Sequence, residues 1–251
     1  MRWTITDALV VAGRNLTHIR RLPQLLVFAT IQPVIFVLMF RYVFGGSIEV
    51  PGLDYVNYLM PGIFVQTVTF GATQTGVGLA DDLQKGLIER FRTLPMARSA
   101  VLAGRTLSDL VRNTLVVALM FVVGLLVGFD PQTGLFGVLA AAAIVLFWSF
   151  AMSWITALVG LSMPDAESAQ TALFPVLFPL VFASSAFVPT EAMPGWLQVW
   201  ADNQPVSATV DAARAILLGQ GGWAEVWPAL AWSAAIVAVF APLAIRRYRR
   251  V

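Results

Sequence analysis

Residues 81–98 read DDLQKGLIERFRTLPMAR, the longest charged interval in a chain that is otherwise mostly apolar. The interval lies between two long apolar runs and sets Lys85, Arg90, Arg92 and Arg98 against Asp81, Asp82 and Glu89. Leu83, Leu87, Phe91 and Leu94 fall at i, i+4, i+8 and i+11, one apolar stripe on a short helix with the charges around the remainder. Asp81 and Asp82 stand where a helix N-terminus favours acids, and Pro95 closes the segment, so a helix is expected to begin there. Two readings fit this segment taken alone. It is an amphipathic helix resting on a membrane surface, or a docking helix presented to a soluble partner.

Composition narrows the setting. Of 251 residues, 58% are hydrophobic and 12% charged, and the mean hydropathy is +0.78. Soluble domains carry about a quarter charged residues, so this chain has about half the usual solvating surface. An all-α integral membrane protein, a single domain over residues 1–251, is the expected fold class. There are no cysteines, which excludes disulfides, thiolate metal sites and cysteine nucleophiles. The single histidine, His18, is too little for a zinc site, which draws on several His or Cys ligands.

Taken in order, residues 1–22 lack the apolar core and small-residue cleavage site of a secretory signal. Trp3, Ile5, Leu9, Val10, Leu16 and Ile19 suggest an interfacial helix, with a solvated tail as the alternative. Apolar runs suited to crossing a bilayer core of roughly 30 Å lie at about 25–44, 58–80, 107–129, 135–163, 171–188 and 226–245. Pro33 interrupts the first, and Pro175 and Pro179 predict a kink in the fifth. In the second, Gly62, Gln66, Thr69, Thr73 and Gly76 recur at helical spacing on one face. Such small and hydroxylated stripes mean helix–helix packing, or else a face lining a substrate path. Asp109 and Arg112 stand at the start of the third run. Trp196, Leu197, Val199 and Trp200 read as a short interfacial helix with aromatic anchors, and residues 206–218 as a second helix ending at Gly219.

Six spans put both termini on one side of the membrane, and positive charge says which. The N-terminal segment, the loop around residues 81–98 and the C-terminus hold fourteen Lys and Arg residues, while the other side has only Arg41 and Arg214. By the positive-inside rule both termini and the charged stretch are cytoplasmic. This is then a multi-pass protein of the inner or plasma membrane.

Several chemistries do not fit. The only lysine, Lys85, does not stand in a phosphate-cradling Walker loop. Gly71, Gly76 and Gly78 resemble a dinucleotide fingerprint but lie inside an apolar run. All fourteen acids are expected in loops or near span ends, where a proton-driven transporter would carry one in mid-span. A membrane body without its own motor remains.

The sequence YLMPGIF from Tyr58, with GLADDLQKGLIERFRTLPMAR from Gly78, resembles the permease subunits of type-2 ABC exporters. So do SSAFVPTEAMPGWL from Ser184 and NQPV from Asn203, and within those exporters the daunorubicin/doxorubicin-resistance permease branch is the nearest likeness. The resemblance covers nearly the whole chain. It implies six helices, an N-terminal interfacial helix and a coupling helix that docks on a separate ATPase subunit. On this sequence the coupling helix is Asp81–Leu94, with Asp82, Lys85, Leu87, Glu89, Arg90, Phe91 and Arg92 as its contacts. Re-entrant helices at about Glu191–Ala201 and Val206–Leu218 lie on the extracytoplasmic side, with Trp196 and Trp200 on the first and Asn203 between the two. A path lined by the second and fifth spans would hold Gln66, Thr69, Thr73, Phe178 and Phe182.

The partners implied are two ATPase copies, a second or homologous permease, membrane lipids and a hydrophobic substrate, with no nucleic acid. No cofactor or metal is expected in this chain, since ATP and magnesium would be bound by the ATPase. Export of a hydrophobic drug or lipid-like molecule is the leading expectation. Export of a polysaccharide or lipid-linked glycan is the alternative within transport. A membrane enzyme or scaffold without transport is the alternative outside it.

Overall fold

The computed structural model describes residues 23–46, 48, 50, 52–87 and 98–250, and the expected interfacial helix at 1–22 lies outside them. Among the described residues the elements are helical. The first, α1 (Pro23–Met39), passes into a π-helical turn at Phe40–Phe44, and α2 (Tyr55–Gly71) and α3 (Thr73–Gln84) follow with one residue between them. Next come α4 (Arg98–Val127), α5 (Leu135–Gly160) and α6 (Ala166–Phe182). A 3₁₀ turn at Thr190–Ala192, α7 (Gly195–Asn203), α8 (Pro205–Leu217) and α9 (Trp223–Arg250) complete the chain.

The outside of the bundle has the composition of a core. Leu115, Leu119, Val122 and Leu126 form an outward stripe on α4 at i, i+4, i+7 and i+11, with Leu126 82% exposed. Val116, Val117 and Met120 fill the opposite, inner face. A helix apolar on both sides cannot be solvated by water, so hydrocarbon is its solvent. The segments Gly104–Val127, Leu135–Gly160 and Trp223–Arg250 are each long and apolar enough to cross a bilayer, while Thr30–Phe44 and Ala166–Phe182 are apolar but shorter.

The second apolar run, read from sequence as one helix over 58–80, is divided at Ala72 into α2 and α3. The third begins at Arg98, well before the expected 107, so Asp109 lies about three turns into α4 and is buried. Asp109 is thus inside a helix while still near the start of the apolar segment Gly104–Val127. The fifth run also begins earlier, at Ala166, because Asp165 caps it, and it stops at Phe182. Pro175 and Pro179 lie inside α6 without ending it.

The central helix is α5, which packs against α2, α3, α4, α6, α8 and α9. Trp148, fully buried on it, donates its indole N–H to Thr69 Oγ1 on α2 at 2.8 Å. Lower down, α5 and α3 meet backbone to backbone. A Cβ built on Gly160 would stand 2.0 Å from the Gly76 carbonyl oxygen, and one on Gly76 would stand 2.3 Å from that of Thr156. Small residues let the backbones approach this closely, which replaces the hydrophobic drive missing between helices in lipid.

Two outcomes follow from this packing. Replacing Gly160 with valine should cost about 2 kcal/mol by overpacking, read as a lower thermal unfolding midpoint in lipid nanodiscs. At the start of α6, the Ser168 N–H donates to the Asp165 carboxylate at 2.7 Å and holds that carboxyl below the ordinary aspartate range. A lowered carboxyl stabilises the fold above the ordinary aspartate value, and the contribution is lost as pH falls through the lowered one. The midpoint of Asp165→Ala should accordingly lie below native at neutral pH and converge on it in acid.

Candidate functional site

The end of the bundle that holds Lys85 and the four arginines of residues 246–250 is built around the last turn of α3. Asp81 and Asp82 lie in that last turn, at the C-terminus of a helix and not at the start of one. This corrects the expectation from sequence, and the reason is Gly86. Its φ of +64° is one that a residue with a Cβ rarely adopts, so it ends the helix after Lys85. A helix C-terminus disfavours acids, and cations neutralise both of these. Lys85 pairs with Asp81 at 2.7 Å along the exposed helix, and Arg105 of α4 pairs with the less exposed Asp82. Lys85 is thus presented outward and Asp82 is turned to the chain's own α4. Leu87 is half-buried, while Glu89, Arg90, Phe91 and Arg92 lie outside the described residues.

About two turns further in is the interruption at Ala72. Ending α2 there frees the Phe70 and Gly71 carbonyls, which hydrocarbon cannot satisfy, and side chains take them; the Ala72 carbonyl, which accepts from Thr75 N–H at 3.1 Å, gains a further donor. Thr73 Oγ1 donates to Phe70 O at 2.6 Å, Arg112 Nη2 to Gly71 O at 2.7 Å, and Thr156 Oγ1 to Ala72 O at 2.7 Å. Arg112 also pairs with Asp109 at 3.2 Å, and Asp109 accepts a short hydrogen bond from Thr75 Oγ1 of α3. Asn113 receives Arg112 Nη2 at 3.3 Å and donates to Ser149 Oγ of α5 at 2.6 Å. Buried charges persist where they are paired and hydrogen-bonded, and both conditions hold here.

The five residues expected to line a path do not share one environment. Thr69 is fully buried and its hydroxyl is spent, donating to Val65 O at 2.6 Å and accepting from Trp148. Thr73 is half-buried and bonded to the Phe70 carbonyl. Gln66 is 3% exposed, and its Oε1 is buried with no hydrogen-bond partner. Phe178 and Phe182 belong to a ladder of rings. Phe70 of α2 lies 6.3 Å from Phe174, Phe174 lies 5.4 Å from Phe178, and Phe178 stacks on Phe182 at 4.3 Å. Phe187 then links Phe182, at 5.0 Å, to Phe40 in the π-helical turn, at 4.7 Å. Phe174 and Phe178 are open on the outer side. The ladder runs from α2 along α6 to the π-helical turn.

At the opposite end, Arg214 of α8 holds the non-helical segment that follows α6. It donates to Ser185 O at 2.7 Å and to Tyr58 O at 3.2 Å, pairs with Asp211 at 2.7 Å, and lies over the Tyr58 ring at 3.7 Å. Tyr58 and Tyr55 donate to the carbonyls of Ser185 and Phe187, both at 2.9 Å. Trp196 and Trp200 stand exposed on α7, and Asn203 Nδ2 donates to Val199 O within that helix.

Sequence reasoning passed over Asp109, Arg112, Asn113 and Arg214 as architecture. One signal was present: an acid and an arginine three residues apart, followed by asparagine, at the mouth of a long apolar run. Such a set on one helix face is costly beside lipid unless it faces inward.

The chain matches the family model described as ABC-2 type transporter over residues 6–218. It is 38% identical over 245 residues to the daunorubicin resistance ABC transporter permease protein DrrB1 of Streptomyces coeruleorubidus, covering 98% of this chain and 87% of that one. The probable doxorubicin resistance ABC transporter permease protein DrrC of Mycobacterium tuberculosis is 28% identical, over 99% of this chain and 90% of its own. The putative transport permease ycf38 of Cyanophora paradoxa is 24% identical, over 87% and 76%.

Replacing Arg214 with methionine would leave Asp211 with only its hydrogen bond from Ser185 Oγ and remove charged donors from two carbonyls, a loss of about 2 kcal/mol. The unfolding midpoint in nanodiscs should fall accordingly, and protease cleavage between residues 183 and 194 should speed up.

Proposed function

The chain belongs to the ABC-2 type transporter family, and we propose that it is the permease subunit of an exporter that moves a hydrophobic drug or lipid-like molecule outward. The observation that carries this reading is similarity along nearly the whole chain to a permease named for daunorubicin resistance. ATP would be hydrolysed by a separate subunit, two copies of which would serve two permeases, this chain pairing with itself or a homologue. Six crossings would be made by α1 with its π-helical turn, α2 with α3, α4, α5, α6 and α9, with α7 and α8 re-entrant on the outer side. Both termini and the 81–98 stretch would be cytoplasmic, consistent with the charge asymmetry.

Within that unit, Lys85, Leu87, Glu89, Arg90, Phe91 and Arg92 would contact the ATPase, with Asp82 holding the approach through Arg105. Cargo would pass along the seam of α2 and α6. Phe178 and Phe182 would offer aromatic faces and Gln66 an acceptor. Thr69 and Thr73 would keep the wall of that seam in place through their internal hydrogen bonds.

Co-purified with its ATPase in lipid, the chain should raise ATP turnover several-fold over the ATPase alone. A chain carrying Phe91→Ala and Arg92→Ala should not. In loaded vesicles, daunorubicin efflux should need ATP, and Gln66→Leu and Phe178→Ala should each slow it several-fold. Absence of both association and stimulation would remove the permease reading and restore the scaffold alternative.

A further inference from the structure

The interruption at Ala72 lies between the two parts of the chain that the permease reading needs to connect. Beyond it, α3 runs to Asp82 and Lys85 and the segment proposed to meet the ATPase. Before it, α2 carries Gln66 and Phe70 of the proposed seam. Both sides of the interruption are tied to α4 by one ion pair. Arg112 holds the last carbonyl of α2, at Gly71, and Asp109 holds the Thr75 hydroxyl of α3. The pair itself closes at 3.2 Å. Behind it, Asn113 accepts from both Arg112 Nε and Nη2 and is anchored to Ser149 on the central helix, so the guanidinium is fixed from two sides.

We propose that Asp109 and Arg112 are positioning residues that make the angle between α2 and α3 two-state, so that movement at the partner-facing end reaches the seam as a discrete step. This rests on the permease reading. Were α2 and α3 one continuous helix, tilting its end would only bend a rod. Ala72 keeps helical dihedrals, and a bend there large enough to move α3 would break the Thr75–Asp109, Arg112–Gly71 or Thr156–Ala72 bond. Each broken group would be left in buried surroundings, where an unpaired polar group is far costlier than in water. Intermediate angles are disfavoured for that reason, and packed, hydrogen-bonded elements of this kind switch between arrangements instead of deforming continuously.

Three variants separate this role from plain stability. Thr75→Val removes the hydroxyl at nearly constant volume, Thr75→Ser keeps it, and Arg112→Gln removes the charge. In the complex with the ATPase, Thr75→Val and Arg112→Gln should lower efflux per ATP hydrolysed about tenfold, while ATP turnover stays within twofold of native. Thr75→Ser should restore the native ratio. The chain has no cysteine, so spin labels can be placed on cysteines introduced at Gln84 of α3 and Leu126 of α4, both exposed. Electron–electron distances should be narrow in the native background and broad in Thr75→Val. A native efflux-to-hydrolysis ratio in Thr75→Val and Arg112→Gln, with unfolding midpoints lowered, would reduce the network to a structural staple and overturn the proposal. If the unaltered chain itself neither stimulates the ATPase nor exports, the permease reading fails. The spin-label arm then still decides the joint, since equal distance widths in native and Thr75→Val would overturn it.

Discussion

In hydrocarbon every backbone carbonyl must find a donor inside the protein, since no water is there to supply one, and an unsatisfied group costs several kcal/mol. A membrane helix that ends in mid-bundle is permissible only if other elements bring donors to its end. This chain ends α2 at Gly71 and brings two, a threonine from the next helix and an arginine from α4, while a threonine from α5 adds to the backbone donor at Ala72. Much else at that level of the bundle follows from those bonds. Arg112 has to be inside, so Asp109 has to be inside to balance it. Asn113 then spaces the guanidinium from α5, and Gly76 and Gly160 bring α3 and α5 close enough for Thr156 to reach Ala72.

The same constraint shapes the other end by different means. After Phe182 the chain leaves helical geometry for several residues while still packed among helices, and the carbonyls of Ser185 and Phe187 go to Tyr58, Tyr55 and Arg214. Gln204 donates to the carbonyls of Leu180 and Ala183 from the other side. Two irregular segments are therefore each stapled by an arginine next to an aspartate, Arg112 by Asp109 and Arg214 by Asp211. Arginine suits both places, because its planar fork serves several acceptors at once and stays charged.

Between these polar ends the interior is governed by packing. Trp148 on the central helix supplies the largest buried side chain, and its one polar atom is matched by Thr69. The aromatic ladder on α6 differs in kind. It is continuous, it crosses to α2 at one end and to the π-helical turn at the other, and part of it faces outward.

Composition alone determined that this is a membrane protein, because too few charges exist to solvate its surface. Apolar run lengths marked where the helices lie, and charge asymmetry gave an expected orientation. The pair of motifs around Tyr58–Arg98 and Ser184–Val206 pointed to the family. These properties are local, so a single chain states them. Which end of a helix Asp81 and Asp82 occupy was settled by the backbone angle at Gly86. Asp109 and Arg112 were legible as charges near a span but not as an ion pair that ties α2 and α3 to α4, and Thr69 and Gln66 looked alike although one hydroxyl is consumed and one carboxamide oxygen is not. Those distinctions depend on partners 34, 41 and 79 residues away, for Thr75 with Asp109, Gly71 with Arg112 and Thr69 with Trp148. Only the folded bundle brings such partners together, because a donor satisfies a buried carbonyl by its position in space and not by its place in the chain.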